Sequence, residues 1–132
     1  MVFKSKISAV FLLLSFFSGG LYAVADCKSI LAKLPKHNPQ TNDQAKMVEN
    51  FEKQCHERPN ATDPNVLKEC LTVGMRSMAV SGNYVAAEKM AKIECDAGND
   101  ALSKTWMGMI MNNQNASPED RSVAEEALSN KE

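Results

Sequence analysis

The sequence predicts an all-α fold of antiparallel helical hairpins stapled by disulfides, and three observations predict it. Beyond residue 26, apolar residues recur three and four positions apart. No sustained alternation of β-branched residues occurs, and no Asn-Gly or Asp-Gly hairpin turn. Asp, Asn or Ser stands just before several periodic stretches, twice with proline next, as at helix starts. The four cysteines, an even number, all lie at or beyond residue 27.

The N-terminus has the pattern of a cleavable secretory signal. Lys4 and Lys6 precede an eleven-residue apolar run, Ile7–Phe17, and a small-residue stretch ends in Ala23-Val24-Ala25. The run is short for a membrane span of about 20 residues, and Gly19-Gly20 breaks it. Cleavage after Ala25 leaves residues 26–132 as one helical domain. Asp26 stands before Cys27 where a lipoprotein needs a small residue, so Cys27 is free to pair. The processed chain has 107 residues, 13 basic and 16 acidic, for a net charge of −3. With no basic patch, neither nucleic acid nor an anionic membrane is an expected partner. Cysteines in an exported chain indicate disulfides and a periplasmic or secreted location. A zinc site is disfavoured, because the cysteine spacings are 28, 15 and 25 rather than close pairs.

The elements follow in order. Asp26–Leu34 forms a short helix that Pro35 stops, and Pro35–Thr41 is a loop. Asn42–His56 is the second helix, with Ala45, Val48, Phe51 and Cys55 on one stripe. Asp63-Pro64 opens the third, with Leu67, Leu71, Met75 and Met78 inward, and Ser81-Gly82-Asn83 is its turn. Tyr84, Ala87, Ala91 and Cys95 mark the fourth, ended by Ala97-Gly98-Asn99. The fifth runs from Asp100 to Met111 with Leu102, Trp106, Met109 and Ile110 inward. Ser117-Pro118-Glu119-Asp120 starts the sixth with a cap, a proline and an acidic first turn, and Val123, Ala124, Ala127 and Leu128 form its apolar face. Ser129–Glu132 frays.

Six helices on short loops group into three hairpins. In each of the first two, one cysteine sits early in the first helix and one late in the second, and antiparallel packing brings those positions together. Cys27–Cys55 and Cys70–Cys95 are therefore favoured, each worth roughly 3–4 kcal/mol by loop closure. The alternative joins Cys55 to Cys70 and Cys27 to Cys95; spacing leaves the choice open.

Two stretches carry a family likeness. One is Leu71-Thr72-Val73-Gly74-Met75, Ser81-Gly82-Asn83-Tyr84-Val85-Ala86-Ala87 and Glu94-Cys95-Asp96-Ala97-Gly98-Asn99. The other is Trp106-Met107-Gly108-Met109-Ile110-Met111, then Ser117–Asp120 leading to Ala124 and Ala127-Leu128. Both resemble the Sel-like branch of tetratricopeptide-type repeats over about residues 64–130. Asn112-Asn113-Gln114-Asn115 stands where that family often places a glycine pair. The resemblance implies close helix approach at Gly74 and Gly108, disulfide-stapled hairpins, and binding of another protein as the activity.

Chemistry-bearing motifs are sparse. His37 and His56 are the only histidines; with no second histidine at ligand spacing, both read as solvated. No G-x-S-x-G elbow or phosphate loop occurs, and the pairs Glu119-Asp120 and Glu125-Glu126 are accounted for by helix-start electrostatics and solvation. No catalytic residue, cofactor or metal ligand is assigned. Met75-x-x-Met78 and the run Met107, Met109 and Met111 could offer thioethers to Cu(I), but fit core filling better. Met107 and Met111, four apart, are expected to form a sticky patch with Tyr84 and Trp106 as partner-binding residues.

The expected function is non-enzymatic protein–protein binding in the periplasm or exterior. A narrower form is an immunity protein that neutralises a periplasmic toxin or cell-wall hydrolase, as in type VI secretion. A cell-wall hydrolase and a methionine-based copper binder are the alternatives.

Overall fold

The computed structural model describes residues 26–129; the expected leader, 1–25, and residues 130–132 lie outside the described residues. Among the described residues six helices form: α1 (Cys27–Leu31), α2 (Asp43–His56), α3 (Pro64–Val80), α4 (Tyr84–Asp96), α5 (Asp100–Met111) and α6 (Pro118–Ser129). Among the described residues there is no strand, and no helix is long and apolar enough to cross a membrane.

Helix boundaries follow from local chemistry. Side-chain oxygens of Asp26, Asn42, Asp63 and Asn83 accept backbone N–H groups in the first turns of α1 to α4, satisfying donors that have no carbonyl partner within the helix. Ser117 and Asp120 cap α6 reciprocally. The Asp120 N–H donates to Ser117 Oγ at 3.1 Å, and the Ser117 N–H donates to Asp120 Oδ2 at 3.2 Å. Helices α3 and α4 stop the same way. Gly82 and Gly98 have φ of 107° and 81°, and the asparagine after each donates its N–H back to a helix carbonyl, Asn83 to Met78 at 2.9 Å and Asn99 to Glu94 at 2.8 Å. This ending needs left-handed backbone, which glycine adopts without strain.

Helix α4 is the hub. Tyr84, Val85, Ala86, Ala87, Glu88, Met90, Ala91, Glu94 and Cys95 are all buried, so α4 is enclosed on most sides rather than along one stripe. It contacts α1, α2, α3 and α5, and α5 and α1 in turn contact α6. Its alanines let neighbours approach closely. At one such contact Ser103 Oγ of α5 donates to the Ala91 carbonyl at 2.9 Å.

The favoured disulfide pairing does not form. The bridges are Cys27–Cys95 and Cys55–Cys70, with Cα–Cα distances of 5.9 and 5.8 Å. The destination of α1 is the reason. Instead of pairing with α2, α1 packs chiefly on α4 and α6, where Ile30 and Leu31 enter the core, so Cys27 meets the end of α4. Helices α2 and α3 fold back on each other across residues 57–63 and bring Cys55 to Cys70. Two bridges and no free cysteine point to an oxidising environment, periplasmic or extracellular.

Helix α5 is also rotated from its expected orientation. Leu102 and Met109 are 50 % and 38 % exposed, whereas Ser103, Trp106, Met107 and Ile110 face inward. The small Ser103 fits the close approach to α4, where Leu102 would not. Leu128 is likewise exposed. Close approach is found at Gly74, where a Cβ would overlap the Phe51 ring. It is not found at Gly108, where a Cβ would meet nothing within 4 Å.

Candidate functional site

Two places in the fold stand out, one polar and buried, one apolar and open. The polar one gathers three residues from three segments. His37 comes from the loop between α1 and α2, Glu88 from the middle of α4, and Asp120 from the first turn of α6. His37 Nε2 lies 2.8 Å from Glu88 Oε2 and 3.3 Å from Asp120 Oδ1. The side chains are 13 %, 4 % and 0 % exposed, respectively. This corrects two expectations: His37 is not solvated, and Asp120 does more than serve helix-start electrostatics.

Each member is held by its surroundings. Asp120 Oδ2 accepts the Ser117 hydroxyl at 2.6 Å, so the capping interaction occupies one carboxylate oxygen and leaves the other toward His37. The Tyr84 ring meets the His37 ring edge-on, with centroids 5.3 Å apart and planes at 90°. Asn42, the cap of α2, donates its side-chain N–H to the Tyr84 hydroxyl at 2.7 Å, and the Tyr84 backbone N–H donates to Gln44 Oε1 at 2.8 Å. Glu88 Oε1 and Asp120 Oδ1 are buried without a hydrogen-bond partner, the condition a folded interior normally avoids.

The electrostatics follow from burial. Loss of solvent first, then a hydrogen bond shared with Asp120 and the Asp120 charge, push the Glu88 carboxyl up to about 10; the charges of Lys92 and Lys89 oppose this. Burial chiefly raises the Tyr84 phenol, against the lowering effect of the Asn42 hydrogen bond, and the charges of Asp120 and Glu88 add to the rise. The three ligand-type atoms, one per side chain, all lie within 4.8 Å of one another, a set able to hold a cation.

The open place is a groove along α3, α4 and α5. Met78, Ala79 and Ala87 contribute apolar lining, and Met47 and Val80, 57 % and 66 % exposed, lie along it with Met109. Asn112, Asn113 and Gln114 add polar lining, and Asn113 Nδ2 donates to the Gly82 carbonyl at 2.7 Å. None of the lining residues is charged. Gly108 lines the groove too, so its missing side chain keeps space open rather than letting helices touch.

The expected partner-binding residues largely belong elsewhere. Trp106 and Met107 are buried in the core and Met111 packs against it, so they form no exposed patch. Trp106 faces inward with Ile110 as their places on the apolar stripe predict, and Met107 joins them in place of Met109. Tyr84 is buried as well, though its edge reaches the groove. Met75 and Met107, expected as possible Cu(I) ligands, are buried as core packing. His56 is exposed and does not join the cluster around His37.

The cluster escaped a reading based on spacing, because its members are 51 and 32 residues apart. One signal was available. Glu88 stands four residues after Tyr84 and three before Ala91, a carboxylate on the apolar stripe of α4. Comparison with family models, curated proteins and solved structures finds no match.

Proposed function

We propose that this is a non-enzymatic protein of the periplasm or exterior that binds an uncharged segment of a partner protein in the groove along α3, α4 and α5. One observation carries the proposal: apolar Met47, Val80 and Met109 are held exposed along a groove with no charged lining residue, in a chain in which 23 % of residues are charged. Exposed apolar side chains gathered in one concavity, with polar amides beside them, suit contact with another protein. Two disulfides and a buried hub keep such a face in shape before association, which lowers the entropic cost of binding. On this reading the hairpins stack as Sel-like repeats do, with the groove as their concave surface.

A photo-activatable residue at Met109, compared with one at Val73, tests the proposal in the producing organism. Val73 is 58 % exposed and outside the groove. The expected result is one protein cross-linked from position 109 and not from 73, and lost on Val80→Glu. Equal cross-linking from both positions, or none from 109, overturns it. In its narrower form the partner is a toxin or cell-wall hydrolase and the protein neutralises it. Inhibition of the partner at equimolar ratio, abolished by Val80→Glu, supports that form.

A further inference from the structure

The cluster of His37, Glu88 and Asp120 brings three metal-ligating side chains from three segments within 4.8 Å of one another inside the fold. One imidazole nitrogen faces two carboxyl groups, at 2.8 and 3.3 Å, and an N–H at that nitrogen donates well to only one of them. An oxygen of each carboxyl group, Glu88 Oε1 and Asp120 Oδ1, is buried without a partner. Both carboxyl side chains are more than nine-tenths buried.

We propose that His37, Glu88 and Asp120 form a binding site for one divalent transition-metal ion of the zinc(II) class. The ligands are Nε2 of His37 and one oxygen from each carboxylate. Metal–ligand distances of about 2.0–2.2 Å place neighbouring ligand atoms about 3 Å apart at right angles and about 3.4 Å apart at tetrahedral angles; the two distances from Nε2 match this range. A 2+ ion balances the charge of both carboxylates in their ionised form, a form that burial otherwise disfavours.

The donor set narrows the class of ion. One imidazole with two carboxylates is a borderline-to-hard set. All four cysteines are in disulfides, so thiolate is not available and soft ions are disfavoured. Magnesium and calcium prefer all-oxygen shells, and an imidazole nitrogen argues against them. The outer contacts are also in place. Ser117 fixes the second oxygen of Asp120, and Tyr84 braces the imidazole ring, as second-shell partners orient ligands elsewhere. His37 lines two clefts that open beside Pro35, which gives the ion a path past the imidazole. Three protein ligands leave at least one coordination position for water.

Zinc(II) and cobalt(II) titrations of the chelator-treated protein test the site, with thermal unfolding as a second readout. The expected result is saturable 1:1 binding, a visible absorption band for the cobalt complex, and a Tm raised by zinc. His37→Ala and Glu88→Gln are expected to weaken binding by roughly 100-fold or more and to abolish the Tm shift, while His56→Ala keeps both. Circular dichroism of each variant shows whether it is folded. Failure of wild-type protein to saturate at millimolar zinc overturns the proposal. So does unchanged affinity in folded His37→Ala or in folded Glu88→Gln.

Discussion

The least expected single side chain is Glu88, a carboxyl enclosed in the hub helix. Its neighbours are Asp120, His37 and Tyr84 inside and Lys89 and Lys92 outward. Its pKa is raised from 4.5 to about 10, so the folded chain holds this proton more tightly than the unfolded chain does. The resulting stability is fully present below about pH 4.5 and is lost as pH rises toward 10, a change on the order of 3 kcal/mol by pH 7. With chelator present, Glu88→Gln is expected to flatten this dependence and to be more stable than wild type at pH 8. Urea denaturation at pH 5 and pH 8 measures it, and parallel profiles for the two proteins count against the assignment. Gly74 offers a second test, since the Phe51 ring fills the space a Cβ would take. Gly74→Ala should cost about 1–2 kcal/mol in the presence of Phe51. In a Phe51→Ala background the same change should be neutral or favourable, because alanine exceeds glycine in helix preference by about 1 kcal/mol. A double-mutant cycle reads the coupling.

Among the helices, α1 depends most on its attachments. Five residues cannot sustain a helix alone. It is retained by Ile30 and Leu31, each worth about 1.5–3 kcal/mol when buried, and by the Cys27–Cys95 bridge. That bridge closes 68 residues of chain and Cys55–Cys70 only 15. Loop closure assigns them about 4 and about 3 kcal/mol. Replacing Cys27 and Cys95 with serine should therefore cost more than replacing Cys55 and Cys70. It should also expose residues 26–42 to protease, while the rest of the chain stays protected. Equal losses in denaturant titrations, or no change in cleavage, contradict this account of α1. Surface pairs add little: Lys33–Glu126 and Lys28–Asp96 are exposed, and such pairs contribute about 0–1 kcal/mol.

For the assembled molecule, the groove and the buried cluster meet at Tyr84, which lines the groove and packs on His37. The groove carries no charged lining residue, so partner affinity should change less than about threefold between 0.05 and 0.5 M salt. Titration of the cross-linked partner at the two salt concentrations checks this, and a steep salt dependence places the contact on another face. Met109→Asp should lower affinity without lowering Tm, because Met109 is already solvent-exposed.

Local chemistry was enough to place the helices. Asp63-Pro64, Ser117-Pro118, Gly82 and Gly98 act through hydrogen bonds within a few residues of themselves, so α2 through α6 and their turns were legible along the chain. Even there only Trp106 and Ile110 of the expected inward face of α5 are buried, because periodicity cannot tell Leu102 from the smaller Ser103 as the residue facing Ala91. The disulfide partners, the burial of Met107 in place of Met109, and the meeting of His37 with Glu88 and Asp120 lay beyond local rules. They depend on α1 crossing to α4 and α6, and that path is set by which enclosed surfaces fit together once all six helices compete for the same core.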